Sequence, residues 1–264
     1  MFGQHQRTVA KAYYVLLYFV FYFCPFHLLY ALLTLDYYVT VFYILVIILQ
    51  RYIKKNRKYI NFLNDVIQIR KAFRCFEVRY EEVIDPKEKC LFGFHPHGVL
   101  SSSILSFMNY GNGPLSDMVT LSSRAMLNLP FVGVLLRLWG VQSVNHKNMK
   151  KLMKHKENIG LVPGGFEEAT LTVRDELRIY IKERKGFIKY ALENNYTIYP
   201  VLSINEHKMF WTFRYFLNFR LWLNKLKIPG VIFFNLKSLG FPPTDSDYQA
   251  IVGRGIRGRT YQTG

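Results

Sequence analysis

The first part of the chain is an almost uncharged apolar stretch. Between residues 12 and 50, Asp36 alone carries a charge at pH 7. A membrane-spanning helix needs about 20 apolar residues, so this stretch has the length of two helices. We expect a transmembrane or re-entrant helical hairpin with its tip at Pro25-Phe26-His27 or at Thr34-Leu35-Asp36. The second position is favoured, although it leaves residues 37–49 short for a full span.

From residue 90 onward, short apolar runs alternate with helical patterns. The predicted strands are Leu91–Phe94, Val119–Leu121, Val141–Val144, Ile159–Val162, Thr197–Leu202 and Val231–Phe234. The predicted helices are Ser101–Asn109, Pro130–Trp139, Asn148–His155 and Lys185–Asn194. Alternation of this kind predicts an α/β fold with a largely parallel sheet.

The segment Met209–Leu226 is rich in aromatic residues. Drawn as a helix, it has aromatic side chains around most of its circumference and one narrow polar stripe of Arg214, Asn218 and Lys225. Aromatic residues interleaved with cations are typical of a helix that lies in the membrane interface. We expect such a helix here, and a core helix is the alternative.

The chain is strongly basic, with 35 lysines and arginines against 18 aspartates and glutamates and a formal net charge of +17. Such a charge indicates a polyanionic partner, which includes nucleic acid, an anionic membrane surface and phosphorylated ligands. Basic residues flank the apolar stretch at Arg7, at Lys11 and within 51–58. The positive-inside tendency places both ends of the hairpin in the cytoplasm, and no recognition module supports nucleic-acid binding.

The cysteines Cys24, Cys75 and Cys90 are scattered and form neither a disulfide framework nor a zinc-ribbon pattern. A reducing compartment is therefore expected. We divide the chain into a membrane hairpin with basic flanks over residues 1–58, a connector over 59–89 and the α/β domain over 90–264.

Two histidines follow the first predicted strand, in the segment His95-Pro96-His97-Gly98. A histidine at a strand end supplies a base that works near neutral pH. The helix predicted after Gly98 supplies free backbone N–H groups for a developing oxyanion, and Gly98 and Val99 are the candidates. His95 is favoured as the base because it lies directly at the strand end. A turn with two partly exposed histidines is the alternative.

Two further motifs carry candidate chemistry. A predicted strand ends in Pro163-Gly164-Gly165 and is followed by Glu167 and Glu168, so that glycines allow close approach of a ligand beside a carboxylate. Downstream, Arg184-Lys185-Gly186 places basic residues at a helix start, which suits a phosphorylated ligand such as the nucleotide end of coenzyme A. A solvated turn and an ordinary basic surface helix are the respective alternatives.

The chain resembles the type 2 diacylglycerol acyltransferase family, which includes monoacylglycerol and wax-ester acyltransferases. Three motifs carry the resemblance in order and spacing: HPHG at 95–98, VPGGFEE at 162–168 and RKGF at 184–187. The resemblance implies an acyl-CoA-dependent O-acyltransferase that moves a fatty acyl group to a lipid hydroxyl, with diacylglycerol as the expected acceptor. It makes residues 90–264 the acyltransferase domain, whose C-terminus we expect to be incomplete.

The resemblance also implies roles for individual residues. His95, His97 and Glu168 belong to the catalytic block. The residues assigned to binding acyl-CoA or the acceptor are Pro96, Gly164, Gly165, Arg184, Lys185 and Gly186. More distant glycerolipid acyltransferases carry an aspartate five positions after a histidine. Those positions hold Leu100 and Ser102 here, so Glu168 is the candidate that orients the imidazole.

One segment departs from the family pattern, because Ser203-Ile204-Asn205-Glu206-His207 replaces Ser-Phe-Gly-Glu-Asn and keeps its glutamate. The expected partners are acyl-CoA as co-substrate, a neutral lipid acceptor and the bilayer, without a cofactor, a metal or nucleic acid. The expected location is the endoplasmic reticulum membrane or lipid droplets, with a cytoplasmic catalytic domain. The oligomeric state stays open.

Three alternatives to diacylglycerol acylation stay open. The first is a monoacylglycerol or wax-ester acyltransferase. The second is an inactive hairpin protein on lipid surfaces. The third is a metal-dependent hydrolase in which His95, His97 and Glu167 or Glu168 bind zinc.

Overall fold

The structure is a computed structural model that describes residues 2–73, 75–107, 114–234 and 247–258. Its α-helices are α1 (Phe2–Leu33), α2 (Tyr37–Leu49), α3 (Arg57–Asn61), α4 (Ser102–Phe107), α5 (Arg124–Asn128), α6 (Val132–Leu138), α7 (His146–Lys154), α8 (Gly165–Leu171), α9 (Gly186–Glu193) and α10 (Leu217–Lys225). Its strands are β1 (Cys75–Tyr80), β2 (Cys90–His95), β3 (Val119–Ser122), β4 (Gln142–Ser143), β5 (Ile159–Leu161), β6 (Thr197–Ile204), β7 (Trp211–Thr212), β8 (Phe233–Phe234) and β9 (Asp247–Val252). Short 3-10 helices cover Gln50–Tyr52, Ile69–Ala72 and Glu206–Lys208, and Phe62–Ile67 forms a π-helix.

The main sheet has 7 strands in the order β1-β9-β6-β2-β5-β3-β4. Neighbouring strands are parallel except β6 and β9, which pair antiparallel. Strand β2 lies at the centre, and every residue from Cys90 to His95 is buried. Parallel strands are covered on both faces, which explains the continuous apolar run. The predicted α/β fold with a largely parallel sheet is confirmed.

The predicted strands between residues 91 and 202 all belong to this sheet, as β2 to β6. The run Val231–Phe234 instead contains β8, which pairs with β7 in a separate sheet of two strands. Strands β1 and β9 were not predicted. Strand β1 lies within residues 59–89, expected to be a connector, and pairs with β9 along its whole length.

The predicted helices correspond to α4, α6, α7 and α9, with ends that differ by one to a few residues. Residues 108 and 109 of the first prediction lie outside the described residues. Side chains of β2 alternate between two apolar clusters. Phe92 and Phe94 pack in one cluster with Tyr199, whereas Leu91 packs in the other with Ile159. This alternation follows from the pleat of a strand.

A turn at Thr34 and Leu35 joins α1 to α2, at the position that was favoured for the tip of the predicted hairpin. Asp36 caps α2, because its carboxylate accepts a hydrogen bond of 3.1 Å from the N–H of Val39. The two helices are in contact where Nδ1 of His27 lies 2.9 Å from the hydroxyl of Tyr43. The hairpin is therefore a packed pair of helices.

The two halves of α1 have different surroundings. Near its start, Ala10 and Leu17 are buried in the main apolar cluster, and the hydroxyl of Tyr13 lies 2.5 Å from that of Tyr59. Near its end, large apolar side chains such as Leu33 are exposed, as they are along α2. By length and composition, Gln4–Leu33 is long and apolar enough to cross a membrane. Residues 37–52 and 57–72 meet that criterion only as a pair, which is bent by 97°.

The single interfacial helix expected over Met209–Leu226 is not present. Met209 and Phe210 are buried, residues 211–212 form β7, and α10 begins only at Leu217. The prediction was wrong because β7 pairs with β8, about twenty residues farther along the chain, and sequence periodicity does not report such pairing. The aromatic side chains of α10 are nevertheless exposed.

Candidate active site

His95 is the last residue of the central strand β2 and is 7% exposed. Strands β5 and β6 flank β2 in parallel, so the segments that follow these strands meet at the same end of the sheet. Ligand sites of open parallel sheets lie at this end. Pro96 is buried directly after His95, and the peptide bond between the two is cis.

Glu168 reaches the same place from α8, the helix that follows β5. Its side chain is completely buried. A Cβ atom on Gly164 would lie 2.1 Å from Oε2 of Glu168, and Gly165 has a φ of +59°. The glycine pair therefore makes room for the carboxylate and supplies a left-handed turn that other residues rarely adopt. Tight packing against Glu168 thus explains the glycine at position 164, and the backbone conformation explains the one at position 165.

The Nδ1 atom of His95 lies 3.1 Å from Oε1 and 3.2 Å from Oε2 of Glu168. The carboxylate also accepts hydrogen bonds from the N–H of His97 at 2.5 Å and from the N–H of Tyr180 at 2.7 Å. Burial acts to raise the pKa of Glu168, but the hydrogen bond and charge of His95 and the two N–H donors lower it below its usual range. Glu168 is therefore ionised at neutral pH.

An ionised Glu168 fixes the proton of the His95 imidazole on Nδ1. The opposite nitrogen, Nε2, is buried and has no hydrogen-bond partner among the described residues. A neutral imidazole in this tautomer has a free lone pair at Nε2. The pair formed by His95 and Glu168 thus has the arrangement of a general base with an orienting carboxylate.

His97 is held in a different way. Its Nδ1 atom lies 3.0 Å from the carbonyl oxygen of Gly98 and 3.1 Å from the hydroxyl of Ser101. Burial lowers the pKa of His97 below its ordinary value, against the opposing effects of the Gly98 carbonyl and the Glu168 charge. The structure therefore brings His95 to the carboxylate and directs the His97 ring towards its own loop.

A second buried carboxylate, Glu206, lies at the start of α4. Its Oε1 atom accepts from the N–H of Ser102 and its Oε2 atom from the N–H of Ser103, both at 2.9 Å. The hydroxyl of Tyr248 donates to Oε2 at 2.5 Å. Burial raises the pKa of Glu206 to about 7, although these donors act to lower it. A Cβ atom on Gly98, whose φ is +60°, would lie 2.5 Å from Cγ of Glu206.

Glu206 corrects one expectation about the oxyanion donors. The first N–H groups of α4 are bound to Glu206, and the N–H of Ser101 donates to the carbonyl of His97. Within the described part of the chain, the N–H groups of Gly98 and Val99 donate to no acceptor. The free donors are thus those of the loop before the helix. From the sequence, Glu206 was identified only as the glutamate kept in the segment 203–207 and received no role, although an acidic residue two positions after β6 was an available signal.

The basic motif lies beside the carboxylate helix. Arg184 forms a salt bridge with Glu167, and its guanidinium lies 5.3 Å from the ring centroid of Tyr180. Lys185 is exposed and precedes α9, and Gly186, the first residue of that helix, has open space around it. Arg184 therefore comes close to the glycine turn, whereas Lys185 and Gly186 lie on the surface.

The zinc alternative required a cluster of three ligands. Among residues 2–73, 75–107, 114–234 and 247–258, no group of three or more His, Cys, Asp and Glu side chains is placed to hold a metal ion. The Nδ1 atom of His95 is hydrogen-bonded to Glu168 and that of His97 faces the carbonyl of Gly98.

Comparisons with known proteins match most of the chain to one family. The family model described as diacylglycerol acyltransferase matches residues 27–261. Diacylglycerol O-acyltransferase 2 of Dictyostelium discoideum is 35% identical over 139 residues, which cover 48% of this chain and 41% of that protein. The human proteins 2-acylglycerol O-acyltransferase 1 and acyl-CoA wax alcohol acyltransferase 1 are each 28% identical over 137 residues, with the same shares of 48% and 41%. The chain spans about two fifths of the length of these curated relatives, and no solved structure matches it.

Proposed function

Because this chain belongs to the diacylglycerol acyltransferase family, we propose that it transfers a fatty acyl group from acyl-CoA to the free hydroxyl of diacylglycerol and forms triacylglycerol. The observation that carries the proposal is the pairing of His95 with Glu168, which leaves Nε2 of the histidine free. Acyl-CoA is the co-substrate, and the reaction needs no cofactor.

His95 is the base of the proposed reaction. Its Nε2 atom accepts the proton of the acceptor hydroxyl while the hydroxyl oxygen attacks the carbonyl carbon of the thioester. Collapse of the tetrahedral intermediate breaks the C–S bond, and coenzyme A leaves as a thiolate that takes the proton from the imidazolium. General-base help of this kind contributes about 10²- to 10⁴-fold in rate.

Glu168 acts through His95. Its ionised carboxylate holds the Nδ1 proton in place and stabilises the imidazolium that forms during attack. The N–H groups of Gly98 and Val99 stabilise the oxyanion, because they have no other acceptor in the described part of the chain. His97 supports the loop that carries these donors.

The remaining motif residues bind the substrates in this proposal. Pro96 and Gly164 shape the loops beside the carboxylate, and Gly165, where a Cβ atom would have no described neighbour closer than 3.7 Å, allows a thioester to come close to the backbone. Arg184 and Lys185 bind phosphate groups of acyl-CoA, and Gly186 begins the adjoining helix. Because the charge of Arg184 is already paired with Glu167, the exposed Lys185 provides the positive charge that is more available to phosphate.

The hairpin of α1 and α2 anchors the enzyme in a membrane. Its exposed apolar side chains include Phe26 and Leu33, and their burial in lipid is favourable by area. The exposed aromatic side chains of α10 add an interfacial contact. We place the enzyme in the endoplasmic reticulum membrane or on lipid droplets, with the sheet on the cytoplasmic side.

A second candidate is acylation of monoacylglycerol or of a fatty alcohol. Two human relatives favour it. One is named as a 2-acylglycerol acyltransferase and the other as a wax alcohol acyltransferase, and each is 28% identical to this chain. The reacting hydroxyl is chemically the same in each case, so the base and the carboxylate keep their roles.

The test incubates membranes that contain the chain with labelled acyl-CoA and one acceptor at a time: diacylglycerol, monoacylglycerol, a fatty alcohol or a sterol. Labelled triacylglycerol is the expected product, and His95→Ala at equal protein level is expected to form at least about 10²-fold less. Product from another acceptor alone would establish the second candidate. If no acceptor gives a labelled product, both candidate functions are contradicted. An inactive protein on lipid surfaces would then be the remaining interpretation.

A further inference from the structure

A cavity of about 920 Å³ lies at the β4 edge of the main sheet, on the side away from β2. Strand β4 is three positions from β2 in the sheet, which corresponds to about 14 Å at the usual strand spacing. Three basic side chains from the segment that follows α2 line one wall: Arg51, Lys54 and Lys55. The cavity is therefore separate from the pair formed by His95 and Glu168.

Four more basic side chains line the other walls. Arg124 belongs to α5, Arg137 to α6, and Lys147 and Lys151 to α7. The two lysines are one helical turn apart, so they lie on the same face of α7. Among the residues that the structure describes, no aspartate or glutamate lines the cavity.

The positive charge of this cavity is not neutralised by the protein. In the part of the chain that the structure describes, none of these lysines and arginines forms a salt bridge. Among the described residues, the buried Nε atom of Arg137 has no acceptor, whereas Nη2 of the same guanidinium donates to the carbonyl of Leu127 at 3.4 Å. Burial lowers the pKa of Arg137, and the nearby charge of Arg51 lowers it further. The repulsion between Arg51 and Arg137 is unfavourable, and an anion bound between them would relieve it.

The cavity walls are fixed by specific contacts. The N–H of Asn56 donates to the carbonyl of Leu138 at 2.9 Å, which attaches the segment after α2 to α6. The stem of Lys55 lies against Gly140, where a Cβ atom would come within 2.7 Å of it. On α7, the side chain of Asn145 accepts from the N–H of Asn148 at 2.9 Å. The basic side chains thus extend from an ordered frame.

We propose that this cavity binds the phosphate groups of an anionic ligand. Arginine and lysine together are the side chains that recognise phosphate, by bidentate hydrogen bonds and by charge respectively. Two sources carry this chemistry: a soluble nucleotide phosphate, which arrives from water and is distinct from the acyl-CoA phosphates placed at Arg184 and Lys185, and the headgroup of an anionic phospholipid. The second source is within reach because Arg51 directly follows the apolar hairpin.

The proposal rests on charge and shape and does not depend on acyl transfer. It is tested by binding measurements on the full chain in a nonionic detergent. One arm titrates adenosine 3′,5′-bisphosphate and follows its affinity by calorimetry. The other arm mixes phosphatidic acid or phosphatidylcholine into the micelles and counts bound lipids by native mass spectrometry.

The test variant is Lys147→Gln with Lys151→Gln, and the matched control is Lys150→Gln with Lys154→Gln. All four lysines are exposed on α7, but only the first pair lines the cavity. We expect at least one of the two anions to bind the wild-type chain, and the test variant to bind it about tenfold more weakly. The control is expected to stay within about twofold of the wild type. Melting temperatures of both variants check that the fold is retained.

The two arms identify the source of the phosphate. Binding of the bisphosphate alone assigns the cavity to a nucleotide, and binding of phosphatidic acid in preference to phosphatidylcholine assigns it to a lipid headgroup. Equal affinity of the two double variants for each anion would overturn the proposal, and so would the absence of binding to the wild-type chain in both arms. None of these readouts requires turnover, so an inactive chain would leave them unchanged.

Discussion

The Nδ1 atom of His95 lies 3.1 Å from Oε1 of Glu168, although 73 residues separate the two along the chain. The contact forms because β2 and β5 are parallel neighbours, so that the residues after each strand meet at one end of the sheet. Both side chains are buried, and the carboxylate accepts two further N–H groups. The orientation of the imidazole is therefore set by a rigid framework.

The two histidines are expected to differ in their effect on turnover. His95→Ala removes the base and should lower kcat by at least about 10²-fold. His97→Ala should lower kcat by less, because its Nδ1 atom faces Gly98 and Ser101 instead of the carboxylate. Initial rates with labelled acyl-CoA at equal protein level measure both. A larger loss for His97→Ala would reverse the assignment.

Replacement of the orienting carboxylate should affect kcat more than KM. Glu168→Gln removes the charge that stabilises the imidazolium of His95 and places an amide NH₂ group where N–H donors point, so we expect a fall in kcat of about 10²-fold. The matched control, Glu167→Gln, breaks only the partly exposed pair with Arg184. Similar kcat values for the two variants would contradict the role of Glu168.

Glycine is required at position 98 but not at position 186. Gly98→Ala adds a Cβ atom in a left-handed conformation, 2.5 Å from Glu206, and should lower the free energy of unfolding by about 2 kcal/mol. Gly186→Ala adds the same atom into open space at the start of α9 and should leave stability unchanged or raise it by up to about 1 kcal/mol. Denaturant unfolding in mild detergent measures both, and equal losses would argue against the close contact.

Glu206 should make stability depend on pH between about 4.5 and 7. Its pKa is raised from an ordinary 4.5 to about 7 in the folded chain, so its neutral form fits the fold better than its charged form. The associated stability is complete below the unfolded pKa and is lost as the pH rises through about 7, to a total of about 3 kcal/mol. Relative to Glu206→Gln, which does not ionise, the wild type should lose stability over this range. A difference between the two that is independent of pH would contradict a raised pKa.

The hairpin tip should be protected from water-soluble reagents. With Cys75→Ser as background, Tyr38→Cys lies at the tip and Val83→Cys lies on the sheet domain, and both positions are at least 85% exposed in the protein alone. In sealed microsomes an impermeant thiol reagent should label only the second variant, because lipid or the membrane barrier shields the first. Equal labelling rates would contradict a hairpin in the membrane.

Local signals in the sequence were sufficient for much of the fold. Strands β2 to β6 are short apolar runs between polar segments. The run of β2 is the most continuous, because a central strand of a parallel sheet is buried on both faces. Strand β1 was missed because it is an edge strand whose side chains are largely exposed and carry charges such as Glu77 and Arg79. Strand β9 was missed because its buried residues alternate with the polar Asp247 and Gln249, so that it lacks the continuous apolar run used to predict the central strands.

Composition and short spacing were sufficient to predict the helical hairpin with its turn near residues 34–36, the residue types at the candidate site and the family motifs. Two contacts at the site became visible only in the folded chain: Glu168 pairs with His95, and Glu206 accepts from the N–H groups of α4 that were expected to be free. These contacts depend on which strands are neighbours in the sheet. The order of the strands is set by the packing of the whole sheet and not by any segment alone.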